Sequence, residues 1–278
     1  GGKMINSGLI VNQGFEFMLY STPVQTKDFT FDLNINLSRN VSKVKELADG
    51  VDYLFFNGDA NFPINVGTRV GHRLGEIYAK NLYKRDENGN MIVNKQGRPT
   101  KVSGEDAFQY TLDHPIGNIE PDLLMSVSPS FTYKGFTLSA LFDMKFDGDI
   151  VSVSEAMATS TGLAARTANR GNAENGWKIV APGVTADGTV NSTAMNAQRY
   201  YTSMSGMAEE FVYDASFIKL KELSLGYSFP KSILKKTPLT SLNVAFVARN
   251  LAYLMKHTPG TSPEGGYDTS MFSQAIDY

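Results

Sequence analysis

The sequence predicts an all-β fold, an antiparallel β-barrel that crosses a membrane with strands. Three observations predict it: long segments in which apolar and polar residues alternate with a period of two, connections that alternate strictly between short and long, and aromatic residues gathered beside the short connections. Transmembrane barrels combine these features, because lipid-facing and lumen-facing positions alternate along each strand and loop length differs between the two membrane sides.

Six segments carry the alternation. Phe15, Phe17 and Leu19 alternate with Glu16, Met18 and Tyr20. In the clearest run, Phe29, Phe31, Leu33, Ile35 and Leu37 oppose Thr30, Asp32, Asn34, Asn36 and Ser38. Met125, Val127, Pro129, Phe131 and Tyr133 oppose Ser126, Ser128, Ser130 and Thr132. Phe136, Leu138, Ala140, Phe142, Met144 and Phe146 oppose Thr137, Ser139, Asp143 and Lys145. Leu223, Leu225, Tyr227 and Phe229 oppose Glu222, Ser224, Gly226 and Ser228. Leu242, Val244, Phe246 and Ala248 oppose Asn243 and Arg249. Only an extended strand places two such sets on opposite faces. Several runs reach the roughly 9–11 residues that a tilted strand needs to cross a bilayer. A soluble β-sandwich also alternates, but its strands average only about 5–6 residues.

Ile218 and Leu220 sit on even positions and Leu223 onward on odd ones, so the phase slips near Lys221-Glu222. One extra residue there, a β-bulge, restores a single apolar face. An arginine at Leu225, on that face, is expected to be far costlier than one at Ser224.

The connections follow the strands. Gln25-Thr26-Lys27, Lys134-Gly135 and Pro230 to Thr240 are short links; Val41 to Pro121, Asp147 to Glu210 and the tail from Ala252 are long. A sandwich has no reason to sort loop length by end. Tyr133 and Phe136 flank the second short link, and Tyr227 and Phe229 precede the third, as an interfacial aromatic girdle requires. The long loops are polar and rich in turn residues. Glu87-Asn88-Gly89-Asn90 and Lys95-Gln96-Gly97-Arg98 bracket a small hairpin at Met91 to Asn94. Thr193 to Ser205 reads as a short helix capped by Asn191 or Ser192.

Composition narrows the function. The 278 residues are 42% hydrophobic and 19% charged, with a formal net charge of -2. That balance opposes disorder and leaves no basic stripe for nucleic acid. With no cysteine, disulfides, thiolate metal sites and cysteine nucleophiles are excluded, and the count suits an oxidising periplasm. No segment approaches the roughly 20 apolar residues of a membrane helix, and Gly1-Gly2-Lys3-Met4 lacks the apolar core of a signal peptide.

The run from Phe211 to Pro230 carries a Tyr213-Asp214-Ala215-Ser216 lead, then a strand ending Leu225-Gly226-Tyr227 before Pro230. It resembles the C-terminal signature of SusC/RagA-type TonB-dependent transporters. Ala248-Arg249-Asn250-Leu251, Pro259-Gly260 with Pro263-Glu264, Asn12 to Glu16, Asn34 to Lys43 with Leu47, and Ile64 to Gly67 with Leu74 to Tyr78 resemble the family in the same order. The resemblance implies a 22-stranded barrel with a plug in its lumen, set in the outer-membrane lipid of a Gram-negative bacterium. It further implies a SusD-like lipoprotein over the extracellular face, TonB acting through an N-terminal part, and import of a nutrient glycan or peptide. Residues 1–278 are expected to be the C-terminal part of the barrel domain, with plug and closing strand absent and further strands on either side. A lidding protein is then expected to contact segments 147–210 and 252–278. A secreted β-rich carbohydrate-binding module is the alternative, and a passive porin a third reading.

No catalytic constellation stands out, so an enzyme is not expected, and no cofactor is implied. The three histidines, His72, His114 and His257, are far apart in sequence, with no partner at metal-ligand spacing. Asp86, Asn88 and Asn90 have calcium-loop spacing, but Gly97 stands where a bidentate glutamate is needed, which favours a polar turn. Asp147-Gly148-Asp149 reads likewise as a strand-end turn. Trp177, Tyr200 and Tyr201, in the second long loop, are the candidates for substrate contact, since exposed aromatics stack on sugar rings and also anchor protein interfaces. Asp32, Asn34, Asn36, Glu222 and Arg249 are expected to face the lumen and to serve hydrogen bonding there rather than recognition.

Overall fold

The computed structural model describes residues 8–58, 62–235, 237–264 and 276–277. Six long strands form one antiparallel sheet: β1 (Gly8–Gln25), β2 (Phe29–Leu47), β3 (Leu123–Tyr133), β4 (Phe136–Phe146), β5 (Phe217–Ser228) and β6 (Asn243–Lys256). Each pairs with its neighbour in sequence, giving the order β1-β2-β3-β4-β5-β6. Among the described residues β1 and β6 are the two edges of this sheet, with no strand paired on their outer sides. An open edge is not tolerated in lipid, where every backbone donor and acceptor needs a partner, so the sheet is a sector of a larger closed barrel.

The register aligns the alternating residues into rows. Leu19, Ile35, Val127, Phe142, Leu220 and Ala252 are successive partners across all six strands. Phe31, Phe131, Leu138, Leu225 and Phe246 form a second row, with Phe31 stacked on Phe131 at 4.7 Å. Beside the short links, Phe29, Tyr133, Phe136 and Tyr227 form an aromatic row, and the Phe136 and Tyr227 ring centroids lie 4.4 Å apart. On the opposite face Asp32, Ser130, Ser139 and Ser224 align. There Asn36 Nδ2 donates to Ser126 Oγ at 3.3 Å, and Arg249 Nε donates to Glu222 Oε2 at 2.8 Å. No second sheet covers the apolar face among the described residues: Phe131, Leu225 and Phe246 are all exposed. The fold is therefore a membrane barrel sector and not a sandwich.

The bulge lies where the phase slip predicted it. Leu141 pairs with Glu222 and Phe142 with Leu220, which leaves Lys221 as the extra residue. Ile218 and Leu220 thereby share the outer face with Leu223 and Leu225, while Lys221 Nζ reaches Asp143 Oδ2 at 2.6 Å. On β6 the register jumps from Arg249 to Ala252 at the same level, with Asn250 at φ 53°.

The short links 26–28, 134–135 and 229–242 lie at one end of the sheet. Lys134 and Gly135 both have positive φ, 46° and 90°, the geometry of a tight hairpin turn whose twist matches the strands. The long connections, 48–122 and 147–216, lie at the other end. Two boundaries differ from the sequence reading. β2 runs on to Leu47 and β6 to Lys256, past the expected loop starts at Val41 and Ala252. At the long-loop end pairing continues beyond the apolar alternation; Val44, buried there, donates its N–H to His72 O.

The long loops are not merely polar connections. They fold together into a cap with its own core. Strands Tyr53–Gly58, Ile64–Arg69, Glu76–Ala79 and Gly117–Asn118 make a small sheet, joined by helices α1 (Glu105–Asp113), α2 (Val153–Thr161) and α3 (Ala197–Met204). Phe62, Ile64, Val66 and Ile77 from the first loop pack with Val151, Met204 and Phe211 from the second. Fully burying each large apolar side chain stabilises this cap by roughly 1.5–3 kcal/mol. The cap of α3 is Asn196, whose Oδ1 accepts from Arg199 N at 3.1 Å, and not Asn191 or Ser192. Residues Ala194–Asn196 pair with Lys178–Val180 and delay the helix; Asn191 is buried, and its Nδ2 donates to Ala181 O.

Candidate substrate-contacting surfaces

The Tyr213-Asp214-Ala215-Ser216 run is the joint between cap and barrel. Val212–Asp214 pairs with Asp149–Val151, and β5 begins at Phe217. Ser216 donates its hydroxyl and its N–H to Asp214 Oδ1, and its Oγ accepts from Asp147 N at 2.7 Å. Ala215 is fully buried, and its N–H reaches Gly148 O at 2.8 Å, inside the turn formed by Asp147 and Gly148, both at positive φ. His257, past the end of β6, bonds the other oxygen of Asp214. Burial raises the Asp214 carboxyl pKa, but the Ser216 and His257 hydrogen bonds outweigh it and hold the group below the usual carboxylate range.

Beside the joint, Arg166 clamps the second loop. Its Nη2 donates to Tyr213 Oη at 2.7 Å, its Nη1 to Glu210 Oε2 at 3.2 Å, and its guanidinium lies 5.0 Å from the Phe211 ring centre. Phe211 and Tyr213 belong to the run that resembles the family, and Arg166 ties both to the second loop.

Of the recesses among the described residues, two adjoin the polar face of the sheet or the predicted aromatics. The first, about 380 Å³, lies where the polar face of the sheet meets the cap and is lined by Ser38, Asn40, Lys145, Glu120 and Asp149 among others. Burial raises the Asp149 pKa against the hydrogen bond that its Oδ2 accepts from Asn118 N. Glu120 Oε2 accepts from Ser42 N at 3.2 Å, and Arg73 bridges Glu120 and Asp122, so the loop is fixed to the top of β2.

The second recess, about 420 Å³, lies in the cap. It is lined by Trp177 and Tyr201, by Thr159 to Gly162 at the end of α2, and by Arg170, Asn196 and Gln198. The fold thus brings two of the three sequence-predicted aromatics to one cleft. Trp177 is half-exposed; Tyr201 is mostly buried, with its hydroxyl donated to Arg166 O at 3.0 Å. Tyr200 packs edge-on against Tyr201 at 5.2 Å, in the cap core behind the cleft. Burial, then the nearby Glu210 charge, push its phenol up to about 12. The hydroxyl and amide groups of the cleft escaped sequence reasoning because they come from segments some 40 residues apart.

The Asp86 loop is a turn: Asp86 Oδ1 accepts from the N–H groups of Asn88 and Asn90, and Oδ2 from Asn90 Nδ2. Among the described residues no group of three or more histidine, aspartate or glutamate side chains is placed to hold a metal ion. His72 instead contacts the Glu76 carboxylate at 3.1 Å.

No protein-family profile matches the chain. Among characterised proteins it is similar to the TonB-dependent receptor P3 of Formosa agariphila, 27% identical over 94% of this chain. It is similar also to the TonB-dependent receptor SusC of Bacteroides thetaiotaomicron, 27% identical over 98% of it. The chain spans about a quarter, 26%, of the length of either relative. Among solved structures, the RagAB peptide transporter superposes on 93% of the chain with a TM-score of 0.60 at 17% identity, and the chain covers 27% of that structure's chain. The RagAB importer in its open-open state superposes equally well, with a TM-score of 0.60 over 96% of the chain. At that identity the likeness shows the fold, a barrel of the same kind.

Proposed function

We propose that this chain, a SusC/RagA-type barrel segment, works in a TonB-dependent protein that imports a nutrient oligosaccharide or peptide across the outer membrane. The observation that carries the reading is the sidedness of the six-stranded sheet. Apolar rows face outward, and across β2 to β5 the inward rows are mostly hydroxyl, amide and charged, with Leu124 and Leu141 as exceptions. That arrangement suits a lipid-facing wall around a polar lumen. The similarity to TonB-dependent receptors over 94–98% of the chain adds the energy source. A wall residue has no chemistry to perform, so the segment acts by shape and polarity rather than as an enzyme. The cap gives a folded platform on which a SusD-like surface lipoprotein can sit, over segments 147–210 and 252–278; of the latter, 265–275 and 278 lie outside the described residues.

Uptake in the bacterium that carries the complete protein tests the reading. Deleting its gene is expected to abolish uptake of one nutrient. A protonophore, which collapses the gradient that drives TonB, is expected to abolish that uptake equally. Uptake of every nutrient at the parental rate after deletion overturns the import reading. Isolation of the complete protein in mild detergent is expected to bring a surface lipoprotein with it; recovery of the barrel alone counts against the partner.

A further inference from the structure

We propose that the three short links form one docking surface for anionic phospholipid headgroups, those of the leaflet on the short-link side of the membrane. This rests on the barrel-wall reading and adds a partner that the import reading does not name.

The links are one surface rather than three separate turns. Lys134 N donates to Asp28 O at 3.0 Å, and Ser228 N donates to Gly135 O at 2.8 Å, so link 26–28 is tied to link 134–135 and that in turn to the strand leading into link 229–242. Successive links stand about 10 Å apart, two strand spacings. Together they carry Lys27, Lys134, Lys231, Lys235 and Lys236 against one acidic residue, Asp28; Lys236 lies outside the described residues. The other four lysines are exposed, and none has a carboxylate at ion-pair distance among the described residues. The lysines of β5 are placed differently: Lys219 pairs with Glu264 and Lys221 with Asp143.

The third link has the make-up of an interfacial segment. Lys231–Leu234 form one helical turn after Pro230, which Lys235 extends at φ −54° and ψ −25°. Ile233 N donates to Pro230 O, and Thr237 closes the turn by donating its N–H and its hydroxyl to Leu234 O. Lys231 and Lys235 thus stand one turn apart on one helix face, where like charges repel. No acidic residue on this link offsets them, which leaves the charge to an anion outside the fold. Leu234 is buried, yet Ile233 is 59% and Leu239 47% exposed. Exposed apolar residues among lysines suit a segment lying at the headgroup boundary. The Lys134 ammonium fixes the side: it lies 5.2 Å from the ring centre of Tyr133, which is on the outer face of β3. A lysine there keeps its stem along apolar surface and its charge at headgroup level. An aromatic belt alone is indifferent to headgroup charge, whereas a cluster of lysines selects anionic lipid.

The test uses the complete protein, with its native cysteines removed, in phosphatidylcholine vesicles. A bimane fluorophore is attached at Ser232→Cys on the third link and, in a second preparation, at Leu138→Cys on the outer face of β4. Its quenching is read with phosphatidylglycerol or phosphatidylcholine that carries a nitroxide near the headgroup. Both lipids are expected to quench at Leu138. At Ser232, phosphatidylglycerol is expected to quench as though enriched about fivefold or more over phosphatidylcholine at low salt, the effect of about one lysine at an anionic surface. Replacing all five lysines by glutamine is expected to bring that preference below about twofold. Salt at about 1 M, where the screening length is about 3 Å, is expected to do the same in the parent. The salt comparison leaves the lysines in place, so a glutamine variant that fails to assemble does not spare the proposal. Three results overturn it: equal quenching by the two lipids at Ser232, a preference that survives both salt and the substitutions, or quenching by neither lipid there, as a link seated against protein would give. Quenching at Leu138 alongside any of these leaves the barrel wall standing; its absence at Leu138 as well refutes the wall itself.

Discussion

Replacing Leu223 by arginine is expected to be costlier than the same change at Leu225 or Ser224 on β5. Leu223 points to the outer face, opposite Ala140 on β4 and Ala248 on β6. It lies four residues from Tyr227 in the aromatic row. At about 3.3 Å per residue and a tilt near 45°, that is roughly 9 Å inside the row, against about 5 Å for Leu225. The apolar band is about 25 Å tall, so Leu223 is close to the midplane and Leu225, for which the sequence alone suggested the large penalty, is shallower. Leu223→Arg is therefore expected to cost about 2–4 kcal/mol and Leu225→Arg about 1–3 kcal/mol. Ser224→Arg, on the polar face, is expected to stay within about 1 kcal/mol. The assay is urea unfolding of the complete protein in phosphatidylcholine vesicles, read as differences between variants. Equal costs at positions 223 and 224, or a larger cost at 224, refute the assignment of faces.

Deleting Lys221 alone removes the bulge and keeps Leu220 opposite Phe142, in phase with Leu223, so that variant is expected to assemble, while deleting Lys221 and Glu222 together turns Ile218 and Leu220 to the polar face and is expected to block assembly; heat-modifiable gel mobility separates the two. Ser216→Ala leaves Asp147 N unpaired in the joint and is expected to cost about 1–3 kcal/mol in the same urea assay. Asp214→Asn tests linkage: the Asp214 carboxyl lies below its ordinary range in the folded protein, so its contribution is full above about pH 4, the unfolded value, and disappears as pH falls through the lowered folded value. The variant is thus expected to be less stable than the parent at neutral pH and to converge with it at strongly acid pH; a gap of constant size refutes the assignment.

What the sequence disclosed tracks what the bilayer imposes. Lipid demands alternation, and alternation is visible without an alignment, so all six strands and the short links were legible from Phe15 to Ala248. Even the bulge at Lys221 was legible, because a phase slip between Leu220 and Leu223 has few other remedies. Strand ends were not. β2 continues from Ser38 to Leu47 by pairing with β1 in water, where no alternation is required. The cap was hidden for a different reason. Its core joins Phe62, Ile64 and Val66 to Ile77, Val151 and Phe211; the alternation at 62–66 is short, and its partners come from distant segments. The same holds for the candidate site. Three aromatics in one loop were visible, but the separation of Trp177 and Tyr201, which line the cleft, from Tyr200, which lies behind it, depends on how α3 packs.

The central claim is that one face of this sheet meets lipid and the other a polar lumen. The chain contains no cysteine, so spin labels can be placed one at a time within it by cysteine substitution. The test sites are Phe131, Leu138, Leu225 and Phe246 on one face and Ser130, Ser139 and Ser224 on the other, in the complete protein reconstituted into bilayers with its native cysteines removed. Accessibility to lipid-dissolved oxygen is predicted to be high at all four positions of the first set and low at all three of the second, alternating residue by residue along β3, β4 and β5. Equal accessibility on both faces, or alternation of the opposite phase, contradicts the account.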